Sequence, residues 1–122
     1  MGLTDDKAVE IAKLINNTVF RFSDEKTLQD RIEDLLKSKG VEYAREVILS
    51  PRNRIDFMSG RVGIEIKVDS SATTVQRQLW RYAEDERIDT LILVTSLSKH
   101  REIAREILGK PVIVVHLLAS IF

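Results

Sequence analysis

The stretch that most restricts this chain is residues 53–68, NRIDFMSGRVGIEIKV. Its second half alternates without a break. Val62, Ile64, Ile66 and Val68 share one parity, and Gly63, Glu65 and Lys67 share the other. Period-two alternation marks an extended strand with one face buried. Arg54-Ile55-Asp56-Phe57-Met58 supplies a partner arm, with Ser59-Gly60 as the turn signal between them. A two-residue turn at Ser59-Gly60 pairs Met58 with Arg61, Phe57 with Val62 and Asp56 with Gly63. A four-residue loop closing at Phe57–Val62 gives the same register. Asp56 then points the same way as Gly63, Glu65 and Lys67. The Asp56–Glu65 diagonal spans roughly 7–8 Å between α-carbons, close enough for one ion to bridge the side chains. Gly63, opposite Asp56, adds no side chain and leaves room for a metal or a phosphate.

Two carboxylates this close repel unless a cation lies between them. Oxygen-only donors favour Mg²⁺ or Mn²⁺. A lysine beside such an ion suits orienting a water or holding a phosphate oxygen. Glu-x-Lys alone is equally a solvated strand face, so the placement of Asp56 matters.

The flanks predict an α/β domain with helices on a mixed sheet. Thr4 caps a first helix, with Ala8, Ile11, Ala12, Ile15 and Val19 at helical spacing. Residues 1–22 read as a packing helix, with dimerisation (a homodimer) as the other use of its apolar face. Ser23 caps a second helix with the stripe Leu28, Ile32, Leu35 and Leu36, ended by Gly40. Glu25 sits at the edge of its inward face. There it either reaches over the sheet end or stabilises the helix N-terminus. Glu46 is a backup ligand, and Glu33 lies mid-helix. Residues 41–49 read as a strand. Arg45, Arg52, Arg54 and Arg61 crowd the site in sequence, either for phosphate or for surface acids. Arg54 shares Asp56's parity.

Thr73 or Thr74 caps a third helix running to about Glu86. Gln78 and Tyr82 stack on one side of it, and Arg77 and Arg81 make a basic rail. Gln76 is the alternative to Gln78 in another register, and Trp80 packs or stacks on a base. Residues 89–95 are almost continuously apolar, as in a central strand, with a parallel right-handed crossover from the hairpin. Ser98 caps a fourth helix to about Leu108, stopped by Gly109, with Ile103, Ala104 and Ile107 inward. Pro111 opens a last strand to His116. Leu117, Leu118, Ile121 and Phe122 form an apolar tail that docks on the body or on a second subunit. His100 and His116 have no sequence partner for a zinc site or a catalytic triad. The order is ααβββαβαβ in one domain, 1–122.

Asp56, eight intervening residues and Glu65-Ile66-Lys67 resemble the signature of the PD-(D/E)XK nuclease superfamily, with Ile55 in place of the usual proline. Gln78-Leu79-Trp80-Arg81-Tyr82 resembles the Gln-x-x-x-Tyr motif of its RecB-like branch. The resemblance covers about residues 24–95, and 23–122 would be the catalytic core on a restriction-endonuclease-like fold. It implies a Mg²⁺-dependent deoxyribonuclease, with Mn²⁺ able to substitute. Asp56, Glu65 and the Ile66 backbone carbonyl would hold the metal. Lys67 would position the water, Gln78 would support it, and Glu25 would add an acid from the preceding helix. Arg54, Arg77, Arg81 and Tyr82 would contact DNA.

Nineteen basic and nineteen acidic residues cancel, so nucleic-acid binding requires local clustering of positive charge. The chain has no cysteine, which excludes disulfides and thiolate zinc. It also lacks a Gly-rich phosphate loop, and no small-molecule cofactor is expected. No apolar run nears the roughly 18 residues that span a bilayer. The acidic opening lacks a signal-peptide core, so the expected partner is DNA rather than a membrane, and the expected compartment the cytoplasm. The alternative function is a non-catalytic nucleic-acid-binding or assembly module on the same fold.

Overall fold

The computed structural model describes residues 6–117. The Thr4 cap and the tail from Leu118 to Phe122 lie outside the described residues. The elements are α1 (Asp6–Asn16), α2 (Glu25–Ser38), β1 (Ala44–Ser50), β2 (Asn53–Ser59), β3 (Val62–Lys67), α3 (Ala72–Ala83), β4 (Thr90–Thr95), a 3₁₀ turn (Ser98–Glu102), β5 (Glu106–Ile107) and β6 (Lys110–His116). Six strands form one mixed sheet in the order β1-β2-β3-β4-β6-β5. The first three run antiparallel, and β3, β4 and β6 run parallel. The class is mixed α/β.

Each sheet face has its own core. On one face, Ala8, Ile11 and Ile15 of α1 and Leu28, Ile32 and Leu36 of α2 bury against Phe57, Val62, Ile64, Ile66, Ile92 and Val94. On the other, Val75, Leu79 and Tyr82 of α3 cover Ile55, Leu91 and Leu93, with Ile103 and Ile107 at one side. Alternation in β3 therefore divides its side chains as the sequence predicts. Every residue of β4 is buried, because helices cover both faces of this central strand. The α1 stripe is used in packing, and the helix ends at Asn16, leaving Val19 91% exposed.

Several boundaries depart from expectation, each for a local reason. Asp24, not Ser23, caps α2, its carboxylate accepting from the Thr27 N–H at 2.8 Å. Ser71, not Thr73 or Thr74, caps α3 through the Thr74 N–H at 3.1 Å. That helix ends at Ala83 rather than Glu86. The hairpin register is slipped by two: Ser59 pairs with Val62, Met58 with Gly63 and Phe57 with Ile64. The turn is Gly60-Arg61, with Gly60 at φ +59°. Ser59 stays inside the strand, its hydroxyl donating to the Glu42 carbonyl at 2.6 Å. Arg61 is tied across to Asp89 at 2.7 Å. A slip of two keeps every side chain on its face, so the face assignment survives the wrong register.

The expected fourth helix does not form. Only the 3₁₀ turn is helical, Ala104 is exposed, and a short hairpin follows. Leu108 and Gly109 take φ +53° and +76° between paired Ile107 and Lys110. Two successive positive φ values are the type I′ pattern, which suits two-residue hairpins. Gly109 thus serves a hairpin rather than a helix stop. No helix among the described residues is long and apolar enough to cross a membrane.

Candidate functional site

The β2–β3 ladder pairs Phe57 with Ile64. Just beyond it, side chains take over the bonding. The Asp56 N–H donates to Glu65 Oε1 at 3.2 Å, and the Ile66 N–H donates to Asp56 Oδ2 at 2.8 Å. Each acid is thereby crossed onto the other strand's backbone. On the outer side, Glu46 has φ +56°, and it faces Asp56 between the paired Arg45↔Phe57 and Val47↔Ile55. Alternation breaks at this point. Phe57 enters the α1/α2 core and Ile55 the α3 core, with Asp56 between them aimed into the split. A non-glycine residue in the left-handed region is costly, and such strain persists where the surroundings enforce it.

The two carboxyls meet in this split. Glu65 is 2% exposed, and Asp56 is half-buried. Burial raises both well above the usual carboxylate range. The Asp56 charge raises Glu65 further, while Lys67 opposes the rise; for Asp56 the Ile66 N–H opposes it and Glu25 adds to it. Lys67 Nζ stands 3.6 Å from Glu65 Oε2. Glu25, at the start of α2, accepts from the Val68 N–H at 3.2 Å, just past the end of β3. It is the α2 acid at the site. Glu33 instead binds the Tyr43 hydroxyl at 2.7 Å and Arg45, and Glu46 lies on the surface 4.0 Å from Arg54.

Gln78 and Tyr82 hold together one turn apart on α3. The Gln78 amide donates to the Tyr82 hydroxyl at 2.7 Å, and that hydroxyl donates to the Arg54 carbonyl at 2.8 Å. The hydroxyl also lies against the Glu65 carboxyl. Tyr82 is wholly buried. Expected to contact DNA, it is here a buried brace between α3, β2 and Glu65. Gln76 is used elsewhere, accepting from the Ala104 N–H at 3.0 Å.

Asp56, Glu65, Lys67, Glu25 and, through Tyr82, Gln78 are thus brought together. Gly63 is not. It pairs with Met58, and an added Cβ there would come within 2.6 Å of Ile55 Cδ1 and 3.1 Å of Leu91 Cδ2. The glycine serves close packing, not space for an ion. Among the arginines, Arg45 pairs with Asp30 at 2.8 Å and with Glu33, and packs over the Phe57 ring. Arg61 belongs to Asp89. Because alternation breaks at Asp56, parity no longer places the Arg54 side chain on the site face; its guanidinium is exposed beside Glu46. Arg77 and Arg81 are exposed on α3, and Arg81 donates to the Asn53 amide oxygen at 3.1 Å, at the start of β2. Trp80 is 47% exposed.

Among the described residues no three His, Cys, Asp or Glu side chains form a metal-binding group. The donor set at the split is two carboxyls plus backbone. One oxygen of each acid is held by an N–H, and Glu65 Oε2 faces the Lys67 ammonium at 3.6 Å. In an extended strand a residue's N–H and C=O point to the same side, so Ile66, whose N–H meets Asp56, turns its carbonyl toward the same split. One buried and one half-buried acid with a carbonyl make an all-oxygen set, the kind that hard divalent cations take. No protein-family model, curated protein or solved structure matches this chain.

Proposed function

We propose that this chain is a metal-dependent nuclease of the PD-(D/E)XK type, hydrolysing DNA phosphodiester bonds on a restriction-endonuclease-like arrangement of elements. The observation that carries this reading is the crossed pair at the β2–β3 split. Asp56 and Glu65 come from adjacent strands, each tied by one oxygen to the other strand, with Lys67 two residues past the second acid. The sequence α2, antiparallel β1-β2-β3, α3, parallel β4 supports the fold half of the reading.

Asp56, Glu65 and the Ile66 carbonyl would hold Mg²⁺ or Mn²⁺. Such an ion, when bound, lowers the pKa of its water and neutralises phosphate charge. The chain's own residues do the rest. Carboxyls held by N–H donors keep fixed positions and do not need to reorganise during the reaction. The Lys67 ammonium orients the attacking water and offsets negative charge growing on the phosphate oxygens. Gln78 holds the Tyr82 hydroxyl, which braces Glu65 from behind. Glu25 fixes the backbone where β3 ends. Arg54, Arg77 and Arg81 would meet backbone phosphates, giving a salt-dependent grip on a chain of zero net charge.

The test is cleavage of single-stranded, duplex and branched DNA with Mg²⁺ or Mn²⁺. Cleavage of at least one substrate, abolished by EDTA, is the expected result. Binding without cleavage of any of the three would favour the non-catalytic module.

A further inference from the structure

His100 is wholly buried, in the 3₁₀ turn that follows β4. Its Nε2 lies 2.9 Å from the Ser70 carbonyl, and its Nδ1 lies 2.6 Å from Thr95 Oγ1. A carbonyl can only accept, so Nε2 carries a proton and donates it; with that one proton on the ring, Nδ1 accepts from the Thr95 hydroxyl. Thr95 Oγ1 in turn accepts from the Leu97 N–H at 3.1 Å. Both ring nitrogens and the hydroxyl are satisfied in a buried place, where an unmade bond is expensive.

What this network grips is the exit from β3. Lys67 pairs in parallel register with Thr95, so the strand ends lie side by side. Three of the next four residues are pinned: Val68 by Glu25, Ser70 by His100, and Ser71 by its capping of α3. Ser70 takes φ +73°, the left-handed region that a serine occupies only at a cost. A strained residue persists because its surroundings hold it; here the His100 ring bonds the Ser70 carbonyl, and the Ser70 hydroxyl donates to Asp69 at 3.1 Å. The held turn joins Lys67 to the helix that carries Gln78.

We propose that His100 is a positioning residue: through the Ser70 carbonyl it fixes the turn after β3, and so sets where the Lys67 ammonium stands against the Asp56–Glu65 pair. The effect on cleavage rests on the nuclease reading above; the clamp itself does not. Thr95→Val removes the hydroxyl that holds Nδ1 while keeping side-chain shape, and Thr95→Ser keeps the hydroxyl. The expected result for Thr95→Val is a kcat lower by about 10- to 100-fold, the scale for a misplaced reacting group. KM for DNA and calorimetric Mn²⁺ affinity stay near wild type, and Thr95→Ser restores the rate. Amide hydrogen exchange should quicken at residues 68–71 in Thr95→Val and not in β4. Nitrogen NMR of the wild-type ring should show protonated Nε2 and bare Nδ1. An Nδ1–H tautomer, or unchanged exchange at 68–71 in a folded Thr95→Val, would overturn the clamp. Faster exchange with an unchanged kcat would overturn the positioning role. A wild-type protein that cleaves nothing while exchange responds as stated would sink the nuclease reading and leave the clamp standing.

Discussion

At the scale of single residues, Lys67 and Asp56 separate chemistry from metal binding. Asp56→Ala removes a proposed ligand, so Mn²⁺ affinity and cleavage should fall together. Lys67→Ala removes a cation 3.6 Å from Glu65 and should leave Mn²⁺ binding intact or stronger. Cleavage should drop about 100-fold or more, the scale for losing one preorganised electrostatic contact. Mn²⁺ calorimetry beside a cleavage assay reads both. Wild-type cleavage by Lys67→Ala would remove the triad from the chemistry.

The same residues predict a pH dependence of stability. Asp56 and Glu65 are raised in the folded state by burial first. A carboxyl raised above its unfolded value contributes fully below the unfolded pKa, and that contribution is lost as pH rises through the folded value. In EDTA, this pair should therefore lower the melting temperature as pH climbs from the ordinary carboxylate range into neutrality and beyond. A divalent cation should offset the loss, most at the alkaline end. Glu65→Gln should melt above wild type there in EDTA and should gain less from Mn²⁺. Parallel wild-type and Glu65→Gln curves would show that the carboxyl is not under this strain.

At the scale of elements, the absent side chain at Gly63 lets Ile55 of β2 and Leu91 of β4 close over β3. Gly63→Ala places a methyl within 2.6 Å of Ile55 Cδ1, the movable end of a side chain, with Leu91 behind it. Overpacking of this kind costs about 1–3 kcal/mol. Ile55→Val removes that Cδ1, so the double variant should be destabilised by less than the sum of the single ones. Urea denaturation of the four proteins measures the coupling, and strict additivity would mean that the methyl finds room elsewhere. The α3 surface can be tested separately. Arg77→Ala with Arg81→Ala should weaken DNA binding and flatten its dependence on salt by about one to two phosphate contacts. An unchanged slope would put the phosphate contacts on another face.

At the scale of the whole molecule, the sheet is sealed on both faces, and α1 belongs to one seal. Ile11 and Ile15 are buried with Leu28, Ile32 and Phe57. Ile15→Ala should cost about 2–5 kcal/mol, the range for truncating a buried aliphatic residue. Thermal or urea unfolding checks this, and a loss near zero would mean that α1 is only loosely docked. The α1 core lies across the sheet from α3, so a folded Ile15→Ala protein should keep its Mn²⁺ affinity.

Read alone, the sequence determined what depends on near neighbours. Period-two alternation assigned the faces of β3, and that assignment held through a register slip of two because parity is unchanged by an even shift. Continuous apolarity marked β4 as central, and helical spacing found α1, α2 and α3. Asp56, Glu65 and Lys67 were legible as neighbours because a hairpin is a local structure. The tertiary fold decided what depends on distant contacts. Helix capping shifted by one to three residues because several polar side chains stood within reach of the same N–H groups. The segment after Ser98 became a 3₁₀ turn and a hairpin, with His100 buried against Ser70, thirty residues away. The crossing of Asp56 and Glu65 onto each other's backbone follows from a break in alternation opposite a strained Glu46. Side-chain periodicity carries no record of such a break, since it exists only once β1, β2 and β3 are packed between two cores.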